Sequence, residues 1–199
     1  VFAKPVNVLR DARSLNVKIY VRGKTERDLQ LTAELRDGNK TIATGSKNVV
    51  GTDSQDINLT NLGTIELWDT DKPNLYDVRV TIKNGGTILD HFDTSIGFRE
   101  AKFTPEGFFL NGKRLKLIGL NRHQTYPYTG QAMPARVQRR DAWILRKELK
   151  CNIVRTSHYP QSIHFLDACD EYGLLCFEEI PGWQHIGDQA WKDLSVSYV

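Results

Sequence analysis

Asn152-Ile153-Val154-Arg155-Thr156, then Ser162 to Tyr172, then Leu174-Leu175-Cys176-Phe177 is the stretch that decides the fold. The first piece is a short strand around Ile153 and Val154, and the last, Leu174 to Phe177, is a short apolar strand. The middle piece places Ile163, Leu166 and Cys169 at helical spacing and ends on Gly173, a residue suited to closing a helix. Strand, helix, strand in so short a span is the signature of a parallel sheet.

Working outward, Arg136 to Leu149 carries Val137, Ile144, Leu145 and Leu149 on one expected helical stripe, and Leu115 to Leu120 precedes it as a further apolar run. That run reads as a strand buried on both faces. Three strands of one parallel sheet then end in polar residues. The first runs into Asn121-Arg122-His123, the second into Arg155-Thr156-Ser157-His158, and the third into Glu178-Glu179. The C-terminal ends of parallel strands form the functional face of such sheets, so a polar site is expected on this rim.

Before residue 103 the pattern is different. Val17, Ile19 and Val21 alternate with polar neighbours, as do Leu29, Leu31, Ala33 and Leu35. Ile57 with Leu59, and Tyr76, Val78, Val80 and Ile82, repeat the period of two. Asp37-Gly38-Asn39 and Asn84-Gly85-Gly86 supply turns between such runs, and Asn111-Gly112 marks a later hairpin. Short alternating strands with regular turn signals indicate a sandwich of antiparallel sheets. The chain therefore divides into an all-β part, residues 1–102, and a βαβ part, residues 103–199. Its 199 residues are too few for that sandwich and a whole (β/α)8 barrel, which alone takes about 250.

Composition excludes several partners. With 27 basic and 24 acidic residues the surface is mixed, which argues against nucleic acid. Arg136, Arg139, Arg140, Arg146, Lys147 and Lys150 read as one solvated helix face, interrupted by Asp141 and Glu148. No apolar run approaches the roughly 18 residues of a membrane span, so no membrane partner is expected. The first residues lack the basic-then-apolar layout of a signal peptide, and the absence of an initial Met suggests an internal start. The three cysteines, Cys151, Cys169 and Cys176, form no CxxC pair and read as buried free thiols rather than a disulfide or zinc framework.

The motif from Asn152 to Pro160, with Asp170-Glu171-Tyr172-Gly173-Leu174 after it, closely resembles a signature of glycoside hydrolase family 2, which contains β-galactosidases, β-glucuronidases and β-mannosidases. Gly119-Leu120-Asn121-Arg122-His123 resembles that family's first barrel strand. Leu67-Trp68, Pro73-Asn74-Leu75-Tyr76 and Gly97-Phe98-Arg99 resemble its immunoglobulin-like domain. The resemblance implies a multi-domain α and β chain: an immunoglobulin-like β-sandwich followed by a truncated (β/α)8 TIM barrel of three strands. It further implies a retaining glycosidase, of β-galactosidase type, whose acid/base and nucleophilic glutamates lie on later barrel strands. The chain alone is then expected to be inactive, with no catalytic residue of its own.

The resemblance assigns supporting roles. His123 and His158 match sugar-facing histidines, and Arg155 matches the arginine beside the nucleophile, where a fixed cation keeps a carboxylate ionised. Asn121 and Arg122 fit either substrate contact or a structural place at the strand end. Trp183 fits either a sugar-stacking wall or a core tryptophan. Glu178 and Glu179, adjacent on one strand, point to opposite faces and cannot flank one glycosidic bond. Members that bind magnesium carry Glu-Thr-His after the third strand. Here Trp183 stands at the glutamate and His185 at the histidine, so no metal and no cofactor are expected. The expected partner is a carbohydrate, and the uncovered edge of the truncated barrel is expected to favour self-association. The alternatives are a β-glucuronidase-type enzyme or a non-catalytic carbohydrate-binding module.

Overall fold

The computed structural model describes residues 1–22, 29–49 and 54–198, which form two compact units. One comprises Val1–Asp69 and Asn74–Arg114, the other Thr70–Pro73 and Leu115–Val199.

The first unit is the sandwich. Strands β1 (Phe2–Val6), β2 (Ser14–Ile19) and β5 (Gln55–Leu59) form one antiparallel sheet in the order β1-β2-β5. Strands β3 (Leu29–Asp37), β4 (Lys40–Asn48), β6 (Tyr76–Asn84) and β7 (Thr87–Ile96) form the other, in the order β4-β3-β6-β7. The alternation seen in the sequence is the burial pattern. Leu15, Val17, Leu31, Ala33, Leu35, Leu59 and Val78 are fully enclosed between the sheets, with Phe98 and Tyr76 meeting edge to face. Each buried leucine or valine side chain contributes about 1.5–3 kcal/mol relative to its exposed state. Strand β7 lies at a sheet edge and is largely exposed, and Arg79 grips Asp93 across the ladder with two hydrogen bonds of 2.7 and 2.9 Å. A small sheet of β8 (Ala101–Thr104), β9 (Gly107–Leu110) and β10 (Lys113–Arg114) completes the unit, its last hairpin turning at Asn111-Gly112.

The second unit carries three parallel strands in the order β11-β12-β13: β11 (Gly119–Arg122), β12 (Ile153–Thr156) and β13 (Leu175–Phe177). Helix α1 (Ala135–Trp143) connects the first two and helix α2 (Ile163–Tyr172) the last two, and helix α3 (Gln189–Ser197) follows. The register pairs Leu120 with Val154, Val154 with Cys176, and Arg122 with Thr156. That face is packed by the helices through Ala142, Leu145, Phe165, Ala168 and Cys169. Burial pushes the Cys169 and Cys176 thiols well above their ordinary range, which keeps both protonated.

Three local expectations need correction. The first parallel strand is not buried on both faces. It begins at Gly119 rather than Leu115, and Ile118 and Leu120 are more than half exposed, because β11 is an edge strand with a partner on one side only. The helix stripe also differs. Gln138, Ala142 and Leu145 are the buried residues, and Leu149 is exposed, because the helix loosens into a π-helical turn at Ile144–Glu148 and changes its register. In α2, Ile163 faces outward at the first helical position while Phe165 and Ala168 are enclosed.

Both ends of α2 follow from the sequence. The Ser162 side chain caps the first turn by accepting from His164 N–H at 3.3 Å. Gly173 ends the helix in the left-handed conformation, φ +79°, and a Cβ there would meet Thr70 O at 2.1 Å. Glycine is therefore required twice over, by torsion and by space.

Candidate functional site

Strand alternation sorts the polar strand ends into two groups. Arg122 falls on the helix-packed face. Asn121, Arg155 and Phe177 fall on the opposite face, on which no helix among the described residues packs its core.

Arg122 is 6% exposed and its guanidinium is fully engaged. Nε donates to Asp141 Oδ2 at 3.0 Å, and Nη2 donates to the same oxygen at 2.8 Å and to Gln138 Oε1 at 2.7 Å. Nη1 donates to Gln161 Oε1, and the guanidinium carbon sits 3.9 Å from the Phe165 ring centroid. Of the two readings left open for Arg122, the geometry selects the structural one. It ties β11 to α1, to α2 and to the loop before α2.

Arg155 has a different neighbourhood. Its Nε donates to Glu179 Oε1, and its Nη2 lies 3.2 Å from His158 Nδ1. Glu179 Oε2 lies 3.1 Å from the same Nδ1, and Glu179 N–H donates to Thr156 Oγ1 at 2.8 Å. Burial alone would raise the Glu179 pKa, but hydrogen bonds from Arg155 and His158 outweigh it and hold the carboxyl below its ordinary value. The His158 ring lies nearly parallel to Trp183, centroids 4.8 Å apart, and meets His123 at 5.2 Å, nearly perpendicular. Tyr159 approaches His123 at 6.3 Å between ring centroids, and its hydroxyl accepts from Gln124 N–H at 3.0 Å.

The structure thus brings together His123, His158, Trp183 and Arg155 among the anticipated residues. Asn121 is exposed and registers beside Arg155, but among the described residues its side chain makes no hydrogen bond. Sequence reasoning missed Glu179 as the acidic partner of this cluster. The signal was present: Glu179 is two residues past Phe177, which registers with Arg155, so strand alternation aims it at the same face. Glu178 goes the other way and accepts from Gln161 N–H at 2.9 Å.

The residues do not suit a magnesium ion. Trp183 supplies no oxygen ligand, the His185 ring packs against Trp191 at 5.6 Å, and among the described residues no group of three or more His, Cys, Asp or Glu could hold a metal. The assembled surface is suited to something else. An aromatic face, two imidazoles and an ion pair on an uncovered sheet face offer stacking together with hydrogen bonds, the combination that binds a polyhydroxylated ring.

Comparison with known proteins agrees in both units. A family model described as glycosyl hydrolases family 2 matches residues 6–99, and one described as glycosyl hydrolases family 2, TIM barrel domain, matches residues 102–198. A β-galactosidase of Thermoanaerobacterium thermosulfurigenes is 60% identical over 143 residues, covering 72% of this chain and 20% of that protein. One from Thermoanaerobacter pseudethanolicus is 58% identical over 129 residues, 64% of this chain and 17% of that protein. The crystal structure of Parabacteroides merdae β-glucuronidase superimposes with a TM-score of 0.80 at 30% identity, over 96% of this chain and 24% of its own. The chain spans about a fifth of the curated β-galactosidases it matches. Two adjoining models of one family, matched in order along a sandwich and a parallel βαβ unit, place this chain in glycosyl hydrolase family 2.

Proposed function

We propose that this chain is the immunoglobulin-like sandwich, residues 1–102, and the first three strands of the TIM barrel, residues 103–199, of a retaining glycosidase that removes terminal β-galactosides. The observation that carries the reading is the cluster of His123, His158, Trp183 and Arg155 on the uncovered face at the ends of adjacent parallel strands. The identity to two β-galactosidases supports the choice of galactoside, and the likeness to a β-glucuronidase supports the runner-up within the same family. A non-catalytic carbohydrate-binding module is the remaining alternative, with the same cluster serving as its binding surface.

In this reading His123, His158 and Asn121 address sugar hydroxyls and Trp183 stacks on the ring. Contacts that strengthen as the oxocarbenium-like transition state forms accelerate the reaction. Arg155 supports a carboxylate at the reacting centre. Retention requires two carboxyl groups about 5 Å apart on either side of the bond. Glu178 and Glu179 are engaged on opposite faces, so neither fills that role and the chain by itself is inactive. The carbohydrate is the partner, and the unpaired edge of β11, with Ile118 and Leu120 exposed, favours association with a second copy.

Hydrolysis of a panel of nitrophenyl β-glycosides by the longer protein, with this chain assayed beside it, tests the proposal. Cleavage of the β-galactoside by the longer protein alone is the expected result. Preference for the β-glucuronide selects the runner-up. Turnover by the 199-residue chain overturns the account of its missing carboxylates.

A further inference from the structure

We infer that Glu179 is a positioning residue that fixes the tautomer of His158, placing the ring proton on Nδ1 and leaving Nε2 as a hydrogen-bond acceptor. Glu179, Arg155 and His123 are the charged or titratable groups in contact with the ring, and the first two converge on the same atom, Nδ1.

Those two contacts demand opposite forms of the imidazole. Glu179 Oε2, at 3.1 Å, needs a proton on Nδ1, whereas Arg155 Nη2, at 3.2 Å, needs a lone pair there. Solvent access decides between them. The Arg155 side chain is 39% exposed, so Nη2 has water to donate to when Nδ1 is protonated. The Glu179 side chain is only 16% exposed, and among the described residues Oε2 has no other donor than His158. With the proton on Nε2 instead, that oxygen would face a lone pair at hydrogen-bond distance, unpaired in a half-buried place. An ionised acceptor left without a donor costs more than a solvated donor left without its acceptor. Glu179 is moreover kept ionised by Arg155, so it has no proton to offer Nδ1 itself.

The ring is also held in plane. Trp183 covers one face and His123 meets the ring at a near right angle, so the direction of Nε2 is set along with its protonation. Among the described residues Nε2 makes no hydrogen bond. An acceptor in that position takes a hydrogen bond from a neutral hydroxyl, while a carboxylate placed there meets a lone pair. This consequence rests on the sugar-binding reading above and deepens it, because it favours a neutral glycoside over a uronide at this position. The tautomer itself stands on the geometry alone.

The test is a long-range proton–nitrogen correlation spectrum of the 199-residue chain labelled with 15N-histidine, taken at about pH 8.5, about two units above the ordinary histidine value. His158→Asn identifies the signal among the five histidines. The Nδ1–H pattern is expected to dominate in the wild type, and Glu179→Gln, which keeps the shape and removes the charge, is expected to lower the tautomer ratio about tenfold. An Nε2–H pattern in the wild type overturns the inference without need of any variant. An Nδ1–H pattern unchanged in folded Glu179→Gln overturns Glu179 as its cause. Neither result touches the glycosidase reading, which fails only if the longer protein is inert toward β-glycosides, and that failure would leave the tautomer intact.

Discussion

Two neighbouring strands carry an arginine at or next to their C-terminal end, and the two arginines have opposite fates. Arg122, at the end of β11, is enclosed by helices and spends its hydrogen-bonding capacity on Asp141, Gln138 and Gln161. Arg155, next to the end of β12, faces the uncovered side and shares its charge with Glu179 and His158. One residue of strand phase separates a scaffold from a candidate site. The residue type alone says nothing about which is which.

Substitution of the two arginines should separate them most sharply. Arg122→Met strands Asp141, Gln138 and Gln161 without their donor and is expected to destabilise the second unit by about 3–5 kcal/mol, read from urea unfolding. Gln138→Leu removes one acceptor from the same network while Nη2 keeps Asp141, and about 1–3 kcal/mol should be lost in the same assay. Arg155→Met should cost less, about 1–2 kcal/mol, since the guanidinium is partly exposed and Glu179 keeps His158 as a donor. If the two arginine variants proved equally destabilising, the contrast between scaffold and site would collapse.

The smallest effect concerns acid. The folded-state pKa of Glu179 is depressed, so its contribution to stability is present above the unfolded value of about 4.3 and fades as pH falls through the lower folded value. Glu179→Gln removes that contribution. The variant should therefore lose less stability than the wild type between about pH 5 and pH 3, compared by thermal melting. A steeper acid loss in the variant would show that another group carries this part of the titration.

Much of this organisation was legible beforehand because it rests on local rules. Alternation in Leu29–Leu35 and Tyr76–Ile82 marked β3 and β6, and Ser162 with Gly173 framed α2. Strand β4 escaped notice because Lys40–Asn48 is an edge strand with only two large-enough apolar residues to suggest a period, Ile42 and Ala43, which are adjacent. The stripe of α1 was misplaced because a π-helical turn is a tertiary adjustment with no periodic signal of its own. At the site, His123, His158 and Arg155 were readable from motif and strand ends. The link from Arg155 to Glu179 spans 24 residues and depends on the parallel register, which only the assembled sheet supplies. The same holds for Arg122, whose partners lie on two helices and a loop.

Gly173 carries a consequence for how variants of this chain would be interpreted. It is far from chemistry in kind, a helix cap whose Cβ would collide with Thr70 O and whose torsion resists any side chain. On the glycosidase reading proposed above, a saturation library of the longer protein scored by hydrolysis would nevertheless return it as intolerant of nearly every replacement, indistinguishable by that score from a residue that touches sugar. Scoring the same library for abundance of folded protein would pull the two classes apart: Gly173 should fail both assays, and His158, if it has the proposed role, only the first.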